Sequence, residues 1–285
     1  MKFGLNFFPI SPKFLMPLAR RADELGYESL WLGEHLVLPA RIDSKHPYAP
    51  DLGPPLPETA IFDPLITLGY IAAQTERIKL CTGVYLTALR HPIAAARLLA
   101  TVDQLSGGRM LFGTGIGWIR EEFEVLDVPW EQRGARMDEC IAVIRRLWSE
   151  ERVEHRGRFY RFDEVGFQPK PVNGSIPVLV GGETPAALRR AARIGDGWVG
   201  LTETPERAAE RIAELHAMRD SGRPLEITVA ADTIPTLDLV HRFRDAGVHR
   251  LTFIGRQLSG GGRTVEDMLG GLERFAAEVI DRIDS

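Results

Sequence analysis

Cysteine is scarce in this 285-residue chain, and the two present, Cys81 and Cys140, sit inside apolar runs rather than at a ligand spacing. Both read as small buried hydrophobes in a reducing compartment, and two cysteines close at most one bridge. An excess of charge of one sign is also missing: 35 basic and 39 acidic residues leave a net charge of −4. With the two signs well mixed, neither a nucleic-acid footprint nor a polybasic membrane patch is expected. No apolar run approaches the length needed to span a bilayer. The start enters a β-rich stretch without the basic and apolar regions of a signal peptide, so the cytoplasm is the expected location. The histidines, His35, His46, His91, His155, His216, His241 and His249, form no HxH or HExxH spacing. A metal site is therefore not expected. Internal repeats and low-complexity segments are absent too.

What is present is ordinary soluble-protein composition, 44% apolar and 26% charged. A chain of this length buries most of its apolar surface without disulfides or metals. Short apolar runs alternate with helical patterns throughout. The strand candidates are Phe3–Phe8, Ser29–Gly33, Ile78–Tyr85, Arg109–Gly113, Pro177–Val180, Gly197–Gly200, Glu226–Ala230 and Arg250–Ile254. Most are apolar on both faces, as parallel strands covered by helices should be. Helical stripes follow, among them Leu15, Leu18, Ala19, Ala22 and Leu25 before Gly26, Met137 to Trp148 over 131–148, and Met268 to Ile283 over 265–283. Eight such units predict an α/β chain folded as one (β/α)₈ TIM barrel over residues 1–285, with insertions. An open doubly wound sheet uses the same elements and is the alternative. The proline-rich stretch 34–62 reads as a long loop, and 150–171 as a small hairpin turning at Arg156-Gly157.

Four segments could carry chemistry. His35, in Trp31-Leu32-Gly33-Glu34-His35, follows the second strand at the mouth where barrel enzymes keep their active sites. It either relays a proton with Glu34 as a polar neighbour, or closes the loop as a structural histidine. Gly83, in Cys81-Thr82-Gly83-Val84-Tyr85, marks a strand end or a close approach of backbone to ligand. Gly113, Gly115 and Gly117 have GxGxG spacing, and Trp118 after them suits packing beside a ring better than cradling a pyrophosphate. At Gly181-Gly182-Glu183-Thr184-Pro185, Thr184 and Pro185 make a good helix start, and the glycines let backbone N–H groups converge there as an anion site. Glu183 is an unhelpful charge beside a phosphate unless its side chain points away.

Together these segments resemble the luciferase-like monooxygenase family, and more closely its branch of deazaflavin (coenzyme F420)-dependent oxidoreductases. The resemblance also rests on Arg90-His91-Pro92, Thr101 to Arg109, Glu121-Glu122-Phe123, Arg133 to Glu139, Gly157 to Tyr160, Pro169-Lys170-Pro171 and Gly195 to Trp198. It covers roughly residues 1–200 in order; the rest matches only as generic β/α units.

The resemblance implies a flavin or deazaflavin ring lying across the barrel mouth. His35 matches the family histidine beside the ring, and Glu34 the acidic residue that contacts the deazaflavin. Gly83–Val84 matches a non-proline cis peptide pressed against the ring, Gly117 and Trp118 the wall near the reacting edge, and Gly181, Gly182 and Thr184 the cofactor phosphate site. Some sugar-phosphate dehydrogenases of the branch have glutamate where this chain has Trp118, which cannot take a substrate proton. Chemistry on an apolar small organic molecule is therefore expected, with Leu36, Val37, Leu38, Tyr48 and Leu56 as its wall. Hydride transfer with F420 is the leading reading. A flavin mononucleotide (FMN) monooxygenase and a non-catalytic ligand-binding barrel are the alternatives. The resemblance and the apolar helices 63–75 and 92–105 imply a homodimer.

Overall fold

A computed structural model describes residues 1–47, 53–201, 204–219 and 222–283. The chain alternates strand and helix: β1 (Lys2–Phe7), α1 (Pro12–Glu24), β2 (Ser29–Leu32), α2 (Pro64–Ala72), β3 (Lys79–Thr82), β4 (Tyr85–Leu86), α3 (Pro92–Leu105) and β5 (Met110–Gly115). It continues with α4 (Arg120–Val125), α5 (Arg133–Ser149), the hairpin β6 (Arg152–Arg156) and β7 (Arg161–Gly166), β8 (Val178–Gly181), α6 (Pro185–Ile194) and β9 (Gly197–Leu201). The last units are α7 (Pro205–Ala217), β10 (Glu226–Ala230), α8 (Leu237–Asp245), β11 (Arg250–Ile254) and α9 (Val265–Glu278).

The strands β1, β2, β3, β5, β8, β9, β10 and β11 pair in parallel, and β3 pairs with β5 to close the ring. This is the expected (β/α)₈ barrel rather than the open sheet. The antiparallel hairpin β6–β7 stands outside it, turning after Arg156 as expected. The two-residue β4 lies along β5.

Local chemistry explains where helices begin. Proline occupies the first turn of α1, α2, α3, α6 and α7, where a missing N–H costs nothing. Asp63, Thr184, Thr204 and Thr236 cap α2, α6, α7 and α8 with their side chains. Thr264 and Asp267 form a reciprocal capping box at α9. That helix stops at Glu278, and a 3-10 turn over Ile280–Arg282 carries the apolar stripe on, so Val279 and Ile283 are still buried.

The main core lies between sheet and helices, where Phe3 and Tyr27 pack on Phe275 of α9. Inside the barrel Trp31, Cys81, Leu111, Leu179 and Val199 form their own cluster. Both cysteines are buried and unbridged. Among the described residues no helix is long and apolar enough to cross a membrane.

Candidate active site

Parallel strands of a closed barrel all end at one face, so the segments after β2, β3, β5 and β8 share one rim. The register sets Leu32 beside Thr82, Thr114 beside Val180, and Gly181 beside Val199. Residues 34–35, 83–84, 117–118 and 181–184 therefore leave the sheet at that rim.

The peptide between Gly83 and Val84 is cis. The run Ile78–Tyr85, expected as one strand, is thus divided: β3 ends at Thr82, and Tyr85 begins β4 against Thr114. Val84 is directed between two glycines. A Cβ on Gly115 would lie 2.7 Å from Val84 Cγ2, and one on Gly181 3.0 Å from Cγ1. Lack of a side chain at those positions is what admits Val84 to the centre of the mouth.

His35 sits beside this bulge. Its ring is 6.0 Å from that of Phe8 and lies edge-on to Trp118 at 6.1 Å. Its Nδ1 is 2.9 Å from Oε2 of Glu122, a fully buried carboxylate on α4. The other oxygen of Glu122 accepts the Leu36 N–H at 2.6 Å and, more weakly, that of Val37 at 3.4 Å. Next to it, Glu121 accepts the N–H groups of Asp43 and Ser44 and the Ser44 hydroxyl at 2.7–3.1 Å. Two adjacent acids on one short helix thus clasp the loop that carries His35. His46 from that loop packs edge-on against Trp118 at 5.2 Å, and burial lowers its pKa.

Glu34 points elsewhere. Its carboxylate accepts the Leu86 N–H at 2.7 Å and takes both terminal nitrogens of Arg90. Arg90 in turn covers the Tyr85 ring at 4.1 Å and approaches Asp63 to 3.7 Å. These partners make Glu34 a brace for the segment after the cis peptide. Burial pushes its carboxyl above the ordinary value, against the pull of Arg90 and the Leu86 amide.

At α6, Thr184 accepts the Ala187 N–H at 3.2 Å. The Gly182 amide does not face outward with its neighbours; it donates to Val199 O at 3.1 Å, while its carbonyl accepts the Trp198 indole at 2.8 Å. Glu183 is withdrawn from the helix start, accepting the Leu201 N–H at 2.6 Å. A cavity of about 180 Å³ opens here, bringing together Gly117, Trp118, Gly181 and Thr184 with Lys45, Arg133 and Arg190. A second cavity, about 210 Å³, lies on the Phe8 side and is walled by Phe7, Phe8, Leu32, Gly33, Ile66 and Tyr70. His35 lies between Phe8, which lines one cavity, and Trp118, which lines the other.

Of the expected substrate wall, Leu36 and Leu56 are exposed, Val37 and Leu38 half-buried, and Tyr48 lies outside the described residues. Glu122, Lys45, Arg133 and Arg190 had no role assigned from sequence. The Glu121-Glu122 doublet just after Gly117-Trp118 was the available signal, since acids that start a short helix at a barrel rim commonly hold a neighbouring loop. Among the described residues no three His, Cys, Asp or Glu side chains are placed to share a metal ion.

Comparison with known proteins places this arrangement. The family model for luciferase-like monooxygenases matches residues 7–240. The chain belongs to the luciferase-like monooxygenase family. Its members are oxidoreductases built on this barrel, and the chain shares their fold and enzyme class. An uncharacterized protein of Mycobacterium tuberculosis is 33% identical over 282 residues, 95% of this chain and 96% of that one. An F420-dependent glucose-6-phosphate dehydrogenase of Nakamurella multipartita is 31% identical over 242 residues, 78% of this chain and 65% of that one. Among solved structures, the monooxygenase RslO1 of Streptomyces bottropensis superposes with a TM-score of 0.78 at 24% identity, covering 99% of each chain. At that identity the likeness speaks for the fold.

Proposed function

We propose that this luciferase-like protein is an F420-dependent oxidoreductase acting on a small organic substrate with an apolar body. The observation that carries the proposal is the convergence at one rim of the Gly83–Val84 bulge, His35 and the cation-lined cavity at α6. The F420-dependent relative, 31% identical, supports the choice of cofactor.

The residues present fit such a group. A planar ring needs a flat bed: Gly83–Val84 supplies backbone, packed closely against Gly115 and Gly181, where any Cβ would intrude. A phosphate needs donors and positive charge: the N-terminus of α6 with Thr184, and Lys45, Arg133 and Arg190, supply both. Glu183 is turned toward Leu201 and away from the helix start, while Asp138 pairs with Arg190. Gly181 contributes at this end, and Gly182 acts through its bonds to Val199 and Trp198. Glu34 acts through Leu86 and Arg90, holding the bulge in place.

When bound, the deazaflavin supplies a two-electron hydride carrier. The protein's part is to fix the ring bed, exclude water with the loop clasped by Glu121 and Glu122, and handle a proton at His35. Trp118 offers no base, so oxidation of a sugar phosphate through a carboxylate at that position is not expected. The apolar cavity beside Phe8 fits an uncharged substrate body, since its walls hold no charged residue.

The same reading includes a homodimer. Ile66 and Tyr70 on α2 and Leu98 and Leu105 on the adjoining α3 are exposed, a patch of the kind that marks an association surface. Light scattering should report a dimer, and Leu105→Glu a monomer.

The cofactor choice is tested by fluorescence titration of the purified protein with F420 and with FMN. Binding of F420 below about 1 µM, without comparable binding of FMN, is the expected result. Tight FMN binding alone overturns the deazaflavin reading in favour of the flavin one, and binding of neither removes both.

A further inference from the structure

We infer that Glu122 is a positioning residue that fixes the proton of His35 on Nδ1, so that Nε2 is the atom through which His35 gives or takes a proton. The inference rests on the proposed role of His35 at the cofactor mouth, although its first test does not involve the cofactor.

Four observations carry it. Oε1 of Glu122 accepts the Leu36 N–H at 2.6 Å and, more weakly, that of Val37 at 3.4 Å, so this oxygen is occupied as an acceptor. Oε2 then faces His35 Nδ1 at 2.9 Å. With Glu122 as the acceptor of this bond, Nδ1 is the ring nitrogen that bears hydrogen. Glu122 is fully buried and the His35 side chain 8% exposed, so water does not compete for this bond. Among the described residues nothing hydrogen-bonds Nε2. It is left on the ring edge opposite Glu122, in a ring flanked by Phe8 and Trp118.

The chemistry balances without a further reactant. In the neutral ring the Nε2 electron pair takes a proton from the substrate; the resulting imidazolium keeps its Nδ1–H on Glu122, whose negative charge offsets it. In the other direction the Nε2–H proton passes to the substrate, and its bonding pair returns to the ring. Glu122 accepts from Nδ1 in both directions, as carboxylates that orient a histidine do. The same carboxylate fixes Leu36 and Val37, so ring orientation and the start of the loop are set by one residue.

The test begins with cofactor-free, ¹⁵N-labelled protein in mildly alkaline buffer, reading the His35 ring nitrogens by NMR. The expected wild-type spectrum shows a protonated Nδ1 and an unprotonated Nε2. Glu122→Gln keeps an oxygen for Leu36 but turns its amide N–H toward Nδ1, so the proton should move to Nε2. Glu122→Asp keeps the charge and should retain the Nδ1–H form. A wild-type ring protonated on Nε2 alone, or a tautomer that Glu122→Gln leaves in place, overturns the inference.

In turnover, Glu122→Gln should lose about 10²-fold in kcat with cofactor Kd little changed, and Glu122→Asp should recover part of it. A merely structural role predicts loss of folding stability and cofactor affinity with no tautomer change. Should the wild type bind no deazaflavin, the functional reading fails while the ring-nitrogen result stands by itself.

Discussion

The two ends of β2 each hold a glutamate against an arginine, half-buried Glu28 and buried Glu34, and the two carboxyl pKa values move in opposite directions. At the lower end, Glu28 takes Nε and Nη2 of Arg250 at 2.7 Å each. Arg250, 1% exposed, also donates to Thr228 and lies 3.1 Å from Glu226. Burial raises the Glu28 pKa, but the Arg250 bonds and charge outweigh it and hold the carboxyl below its ordinary value. At the upper end Glu34 is the more deeply buried of the two, and there burial outweighs Arg90. The lower pair closes the barrel floor and adds stability. The upper pair holds backbone at the mouth and gives some stability up, as functional sites commonly do.

The contrast can be broken by mutation, beginning where the effect is largest. His35→Ala should cut turnover by about 10² to 10⁴-fold, with a smaller loss of thermal midpoint because buried Glu122 loses a partner. Unchanged turnover would make the histidine structural. Glu28→Ala strips a buried arginine of its main partner and should cost about 3 kcal/mol in urea unfolding, the low end because Glu226 remains. Cofactor binding should survive that change.

The pH dependence sharpens the comparison further. A carboxyl whose folded pKa is lowered contributes stability above the ordinary value of 4.5, lost as pH falls through its folded value. One whose folded pKa is raised contributes below 4.5, and the contribution is lost as pH rises through its folded value. Unfolding free energies across the acid range should therefore diverge. The advantage of wild type over Glu28→Gln should grow with rising pH, and its advantage over Glu34→Gln should shrink. Parallel curves would refute the opposite shifts. The smallest effect is expected at Asp63, which caps α2 through Leu65 and Ile66. Asp63→Ala should cost about 1 kcal/mol, read as a modest drop in thermal midpoint.

The barrel itself was legible in the sequence because parallel strands buried on both faces read as short apolar runs, and proline and threonine punctuate the helix starts. The break inside Ile78–Tyr85 was not legible from pattern. A cis peptide leaves hydrophobicity unchanged, and only family resemblance pointed to Gly83–Val84. The partner of His35 was likewise hidden. Glu122 lies 87 residues away, and the Glu121-Glu122 doublet marks a rim helix without saying which loop folds back on it. The bonds of Glu34 to Leu86 and Arg90 were hidden as well, since those partners lie 52 and 56 residues away. The cations of the α6 cavity, Lys45, Arg133 and Arg190, come from three separate segments that only barrel closure brings together.

The central claim is that one flat cofactor spans the bulge, the histidine and the α6 cavity. A crystal structure of the protein grown with F420 tests it most directly. The deazaflavin ring should lie against Gly83–Val84 beside His35, with the phosphate among Thr184, Arg133 and Arg190. Density for the cofactor elsewhere, or a ring at that place whose phosphate points away from α6, would contradict it.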